Sequence, residues 1–107
     1  MAFLYSNSST NLAFDIAANT VPQASITVAG TAKPAVNKMV GAYKVNDFSF
    51  VVNSTLGTPD TSGITPIIEE VAIGRLYNNT NYWNGHIKQI SYYNFRLPNS
   101  TLQGLTA

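Results

Sequence analysis

Large apolar side chains recur at every second position through much of this chain, the spacing that lines one face of a β-strand. Leu12, Phe14 and Ile16 alternate with Ala13, Asp15 and Ala17, and Ala24, Ile26 and Val28 alternate with Ser25 and Thr27. Each set predicts a half-buried strand. Met39 to Lys44 and residues 48–53 read as the arms of a hairpin around Asn46-Asp47, residue types that tolerate positive φ. In the second arm Phe48, Phe50 and Val52 share a face. Further on, Val71 and Ile73 are expected to point inward, with Gly74 ending their strand. Ile87 and Ile90 are three apart while Ile90 and Tyr92 are two apart, so a regular strand would send the two isoleucines to opposite faces. A β-bulge near Lys88-Gln89 would return both to the core. Only the C-terminus departs from period two: over Asn99 to Leu105, leucines at 102 and 105 predict a short helix with both facing inward. Asn99 or Ser100 would cap it, or Pro98 would be its first residue.

This patterning makes the class all-β, and no composition shift, linker or repeat divides residues 1–107 into more than one domain. A chain of this length removes roughly 60–70% of its unfolded surface from water. Cysteine is absent, which excludes a disulfide framework and thiolate metal sites. Charged residues make up only 10% of the chain, well below the usual quarter, so Ser, Thr, Asn and Gln must fill solvent-facing positions. That composition suits an extracellular or virion β-protein. The net charge is +1, and Lys33, Lys38, Lys44, Arg75, Lys88 and Arg96 are scattered, with no basic stripe to neutralise phosphates. Nucleic acid is not an expected partner. The first residues lack a basic region and a long apolar run, so neither a signal peptide nor membrane insertion is expected. Asn-x-Ser/Thr triplets at Asn7, Asn53, Asn78 and Asn99 read as chance products of an Asn/Ser/Thr-rich composition.

Candidate chemistry is sparse. Glycosidic cleavage needs two carboxyl groups facing each other across about 5–9.5 Å. Glu69 and Glu70 are consecutive, which in a strand points them to opposite faces, and Asp15, Asp47 and Asp60 lie in separate segments. A non-enzymatic role is therefore expected. His86 is the only histidine, directly after Asn84-Gly85, with no Gly-x-Ser-x-Gly elbow in the chain; it reads as a turn-flanking residue. For calcium, Asp47 and Asp60 are the loop carboxylates on offer. The stretch richest in recognition chemistry is 77–84, where Tyr77, Tyr82 and Trp83 offer faces for stacking on pyranose rings and Asn79 and Asn81 offer amides for hydroxyls. A structural reading stands beside it, in which Trp83 or Tyr82 covers the end of the fold and the asparagines form turns. Arg96 and Tyr93 read as an ion-pair partner and edge packing.

The order Ile73-Gly74, Asn84-Gly85-His86-Ile87, Tyr92-Tyr93, Arg96-Leu97, Leu102-Gln103 and Leu105-Thr106 is extended upstream by Lys38-Met39-Val40-Gly41-Ala42-Tyr43-Lys44, Asn46-Asp47-Phe48 and Asp60-Thr61-Ser62-Gly63. Taken together, residues 36–107 resemble the later half of a concanavalin A-like lectin/glucanase domain, the laminin-G-type jelly roll, in the version found in bacteriophage tail and other virion proteins. The resemblance implies an antiparallel β-sandwich. Family domains run to about a dozen strands, so either residues 1–34 supply a reduced front half, giving a small sandwich of about seven or eight strands, or another chain covers an open sheet. The small sandwich is the favoured reading. Relatives carry a Ser or Thr helix cap where Pro98 stands, and hydrolase relatives carry two glutamates on one strand, a pair not found here. As function it implies a non-enzymatic structural or attachment module of a virion (tail, fibre or head surface), assembled in the host cytoplasm. Its partners would be other virion subunits, further copies of itself and surface glycans weakly bound through Tyr77, Asn79, Asn81, Tyr82 and Trp83. No cofactor is required, although laminin-G-type relatives often bind calcium at the sandwich rim. The alternatives are a carbohydrate-binding module or glycoside hydrolase-related protein, and a purely structural oligomer subunit.

Overall fold

The computed structural model describes residues 1–6, 11–18, 21–29, 36–65, 71–74 and 86–107. They form a small all-β sandwich with one short C-terminal helix. The strands are β1 (Ala2–Ser6), β2 (Leu12–Ala18), β3 (Val21–Val28), β4 (Met39–Lys44), β5 (Asp47–Val52), β6 (Thr55–Leu56) and β7 (Val71–Ile73), followed by α1 (Asn99–Leu105). One sheet has the order β3-β2-β1-β7 and the other β4-β5-β6.

Period two decides which side chains meet between the sheets. Leu12, Phe14 and Ile16 of β2 and Ala24, Ile26 and Val28 of β3 bury together with Phe48, Phe50 and Val52 of β5. The register of the hairpin places Met39, Gly41 and Tyr43 opposite Val52, Phe50 and Phe48, on the same inner face. Phe14 lies at ring-centroid distances of 6.0 Å from Phe50 and 6.5 Å from Tyr43, within the range of favourable aromatic pairing. Its ring fills the space over Gly41, where a Cβ would approach it to 2.5 Å. A glycine is thus required there by the close approach of the two sheets.

The hairpin turn falls one residue earlier than the sequence suggests. Lys44 pairs with Asp47, so Val45-Asn46 form the loop, and Asn46 takes the positive φ, at 55°. The next turn, Asn53-Ser54, has positive φ at both residues, the geometry that matches the twist of a two-residue hairpin. Two strands were not evident from patterning. β1 is apolar on both faces, with Ala2 turned to the intersheet core and Phe3 and Tyr5 packed with Ala13 and Ala72 on the other side. β6 is only two residues long, too short for a period to register.

Several expectations are overturned in the last third. β7 pairs with β1 in parallel, so the sandwich is not wholly antiparallel. Its buried residue is Ala72, whereas Val71 is exposed and Ile73 half-buried. The reason is lateral: β5 packs against β3 and β2, and β7 lies at the far side of that sheet. The isoleucines at 87 and 90 do not reach the core through a bulge. Residues 86–95 form no strand, and Ile87 and Ile90 are both exposed.

The helix forms where expected, but only one leucine faces inward. Leu102 packs with Ala42 and Val51 on the outer face of β4 and β5, beside Val40, Leu56 and Leu97. Leu105 is exposed, and Thr106, four residues after Leu102, is buried in its place. Its Oγ1 donates to the Leu102 carbonyl at 3.0 Å and accepts the Ser54 N–H at 3.0 Å. The four-residue step points more nearly along one helix face than the three-residue step, and the Ser54 donor rewards a hydroxyl there. Neither Asn99 nor Ser100 caps the helix; Pro98 is the N-cap, contributing only its carbonyl to the Leu102 N–H at 3.1 Å.

Candidate functional site

The proposed sugar-stacking group, Tyr77, Asn79, Asn81, Tyr82 and Trp83, lies outside the described residues. The chain enters that segment from the edge strand β7, where the Gly74 N–H bonds the Leu4 carbonyl at 2.7 Å, and re-enters the described structure at an exposed His86. Glu69 and Glu70 are also outside it.

The three described carboxylates are each committed to structural bonds in different places. Asp15 accepts from Tyr5 Oη and Ser25 Oγ, both at 2.8 Å, across the outer faces of β1, β2 and β3. Asp60 lies in a bridge with Phe48, and its Oδ1 accepts the Ser62 N–H at 3.0 Å and the Ser62 hydroxyl at 3.3 Å. Asp47 accepts from Arg96 at 3.0 Å and lies 3.7 Å from Lys44 Nζ. Asp47 and Asp60 therefore do not form the convergent oxygen set that calcium needs. Residues opposite one another share a sheet face, so Asp60 sides with Phe48 and Asp47 with Ser49. Among the described residues no group of three or more His, Cys, Asp or Glu gathers as a metal site.

Charged chemistry concentrates in an open cleft of roughly 310 Å³ between the β4–β5 turn and the start of α1, lined by Lys44, Asp47, Arg96, Leu97, Pro98 and Asn99. Arg96 organises it. Its side chain is only 9% exposed, and the two hydrogens of Nη2 are shared among Asp47 Oδ1 at 3.0 Å, Ser49 Oγ at 2.8 Å and Asn99 Oδ1 at 2.8 Å. Nη1 donates to the Leu97 carbonyl, and Nε is buried without a partner. Ser49 is itself fully buried, and an arginine fork suits so many acceptors in one place better than an ammonium. With its donors directed at the protein's own oxygens, this cluster clamps the C-terminal segment onto the sheet rather than presenting free charge to a ligand. Arg96 forms the ion pair expected of it, with Asp47 as its partner. Its acceptors, up to 49 residues away, carry no local signal.

The remaining feature is the run from His86 to Phe95, every residue of which is exposed. Ile87, Ile90, Tyr92, Tyr93 and Phe95 each keep between 45% and 80% of their surface accessible. Expected edge packing by Tyr93 is thus only partial. Tyr92 comes within electrostatic reach of Tyr43, whose phenol is pushed above its ordinary value by burial first and by Tyr92 second.

No family model, curated protein or solved structure matches the chain. Among the described residues no helix is long and apolar enough to cross a membrane. What the fold defines is the class, a small all-β sandwich protein.

Proposed function

We propose that this protein is a non-enzymatic structural module of a virion, a tail, fibre or head-surface subunit whose work is assembly, with weak attachment to glycans through the 77–83 segment as a second role. The observation that carries the reading is the concentration of exposed apolar residues between Ile87 and Phe95, five side chains within nine positions, beside a buried intersheet core. A patch of this kind marks a surface that a partner covers. The commitment of Asp15, Asp47 and Asp60 to structural bonds supports a role without acid–base catalysis. In a symmetric particle many copies act together, so millimolar single-site affinity for a sugar becomes effective through local concentration.

Light scattering on the purified protein at high micromolar concentration tests the assembly role. Association beyond the monomer is expected; a monodisperse monomer that stays soluble without any partner would count against it. A glycan array tests the second role, with Tyr82→Ala expected to weaken any binding seen. A blank array for the wild type would leave assembly alone.

A further inference from the structure

The segment from His86 to Phe95 has the attributes of a strand without a sheet. It contains no helix or turn, is free of bends as far as Tyr93, and has no residue at positive φ. Among the described residues none of its backbone N–H or C=O groups bonds to protein, and its only hydrogen bond is a side-chain contact from Gln89 Nε2 to Ser91 Oγ at 3.4 Å. Backbone groups that no described residue pairs, beside exposed Ile and Tyr, form the template onto which another strand adds. The segment is held at one end, where Arg96 is clamped to Asp47 and Ser49.

We propose that this segment is a self-association surface whose partner is a second copy of the same segment, the two joined as an antiparallel ribbon about a two-fold axis at Ser91. This rests on the assembly reading above and names the surface that performs it. The argument is one of register. Pairing about Ser91 places Ile90 opposite Tyr92, Gln89 opposite Tyr93 and Lys88 opposite Asn94, each pair occurring twice by symmetry. A β-branched residue then meets an aromatic on one face, a favourable cross-strand pair. On the other face an amide meets a phenol. Lys88, the one cation between His86 and Arg96, meets an amide instead of its own copy, so no like charges oppose. Centring the ribbon on Lys88 would set two ammonium groups against each other, and centring it on Gln89 would set Lys88 against Ile90.

Area sets the strength. Five side chains at these exposures offer on the order of 500 Å² of surface per copy, below the roughly 800 Å² per partner of a standard interface. The free dimer should therefore be weak, visible at high micromolar protein and reinforced in a particle. A pairing about a two-fold axis uses the same edge of each segment, so the expected product is a dimer.

The absence of native cysteine makes a direct test available. Opposed Cα atoms about 4.5–5.5 Å apart fall within the span a disulfide bridges, so Ser91→Cys should cross-link to a covalent dimer under mild oxidation. The control is Thr58→Cys, also exposed but outside the segment. Ser91→Cys should react about tenfold faster at high micromolar protein, the ratio of a millimolar effective concentration to the bulk one. Tyr92→Lys, at a position 80% exposed and so tolerant of a charge, should return the wild-type dimer to monomer with its circular dichroism unchanged. Equal cross-linking of the two cysteine variants, together with an oligomer that survives Tyr92→Lys, would overturn the ribbon while leaving assembly standing. A wild-type monomer at every concentration would remove both. Species larger than a dimer without the Ser91 cross-link would mean that the segment adds to a different edge, and would also overturn the proposal.

Discussion

Arg96 illustrates how a single residue fixes a chain terminus in a protein with few charges. Its guanidinium joins the first turn of α1, through Asn99, to the start of β5, through Asp47 and Ser49. The partners differ in what they contribute. Asp47 keeps 38% of its side chain exposed, so solvent screens that ion pair and its worth is at most about 1 kcal/mol. Ser49 is fully buried, and removing its donor leaves an unsatisfied hydroxyl. Arg96→Met should therefore cost about 3 kcal/mol, whereas Asp47→Ala should cost about 1 kcal/mol or less. Urea denaturation of the two variants measures the difference. Equal losses would show that the salt bridge, and not the buried hydrogen bonds, carries the clamp.

At the scale of the element, α1 is too short to stand alone. Helices below about 12 residues are marginal in water, so this one depends on what it touches. At its C-terminal end, Ser54 Oγ donates to the Gln103 carbonyl and Gln103 Nε2 donates to the Ser54 carbonyl, both at 3.1 Å. Its apolar contact is Leu102 against Ala42 and Val51. Leu102→Ala should cost about 2–5 kcal/mol through the cavity it opens, while Leu105→Ala should stay within about 0.5 kcal/mol. Thermal or chemical unfolding of the pair checks this directly; comparable losses would mean that both leucines are buried, as three-residue spacing alone suggests. The contrast between α1 and residues 86–95 is instructive. Both carry large apolar residues, but the helix has the outer face of β4 and β5 to cover, whereas the isoleucines and tyrosines of the preceding run keep 45% to 80% of their surface exposed.

At the scale of the molecule, two sheets meet over a core that Phe14 and Gly41 share. Adding a methyl group at Gly41 brings it against the Phe14 ring, so Gly41→Ala should destabilise by about 1–3 kcal/mol. Cutting back the ring by Phe14→Leu should reduce that penalty, with a coupling of at least about 0.5 kcal/mol in a double-mutant cycle. Strict additivity would mean that the sheets do not press on each other at this point. Such close packing between the sheets contrasts with the exposed apolar residues of 87–95, and that contrast is what the proposed assembly role rests on.

The intersheet core was legible from the sequence because a strand's period is local: Leu12, Phe14, Ile16, Ala24, Ile26, Val28, Phe48, Phe50 and Val52 declare their shared face without reference to any neighbour. The terminal helix was legible for the same reason. The candidate sugar segment, 77–83, was read from composition, and its residues lie outside those described. Other features depended on which element passes over which face. β7 entered its sheet in parallel beside β1, β5 settled over β2 and β3, Thr106 displaced Leu105 from the helix's buried side, and Arg96 found its acceptors far back in the chain. Residues 86–95 have the composition of a strand, yet among the described residues their backbone meets no neighbouring ladder. A hydrophobic period tells a strand which side to bury; only the arrangement of the other strands supplies something to bury it against.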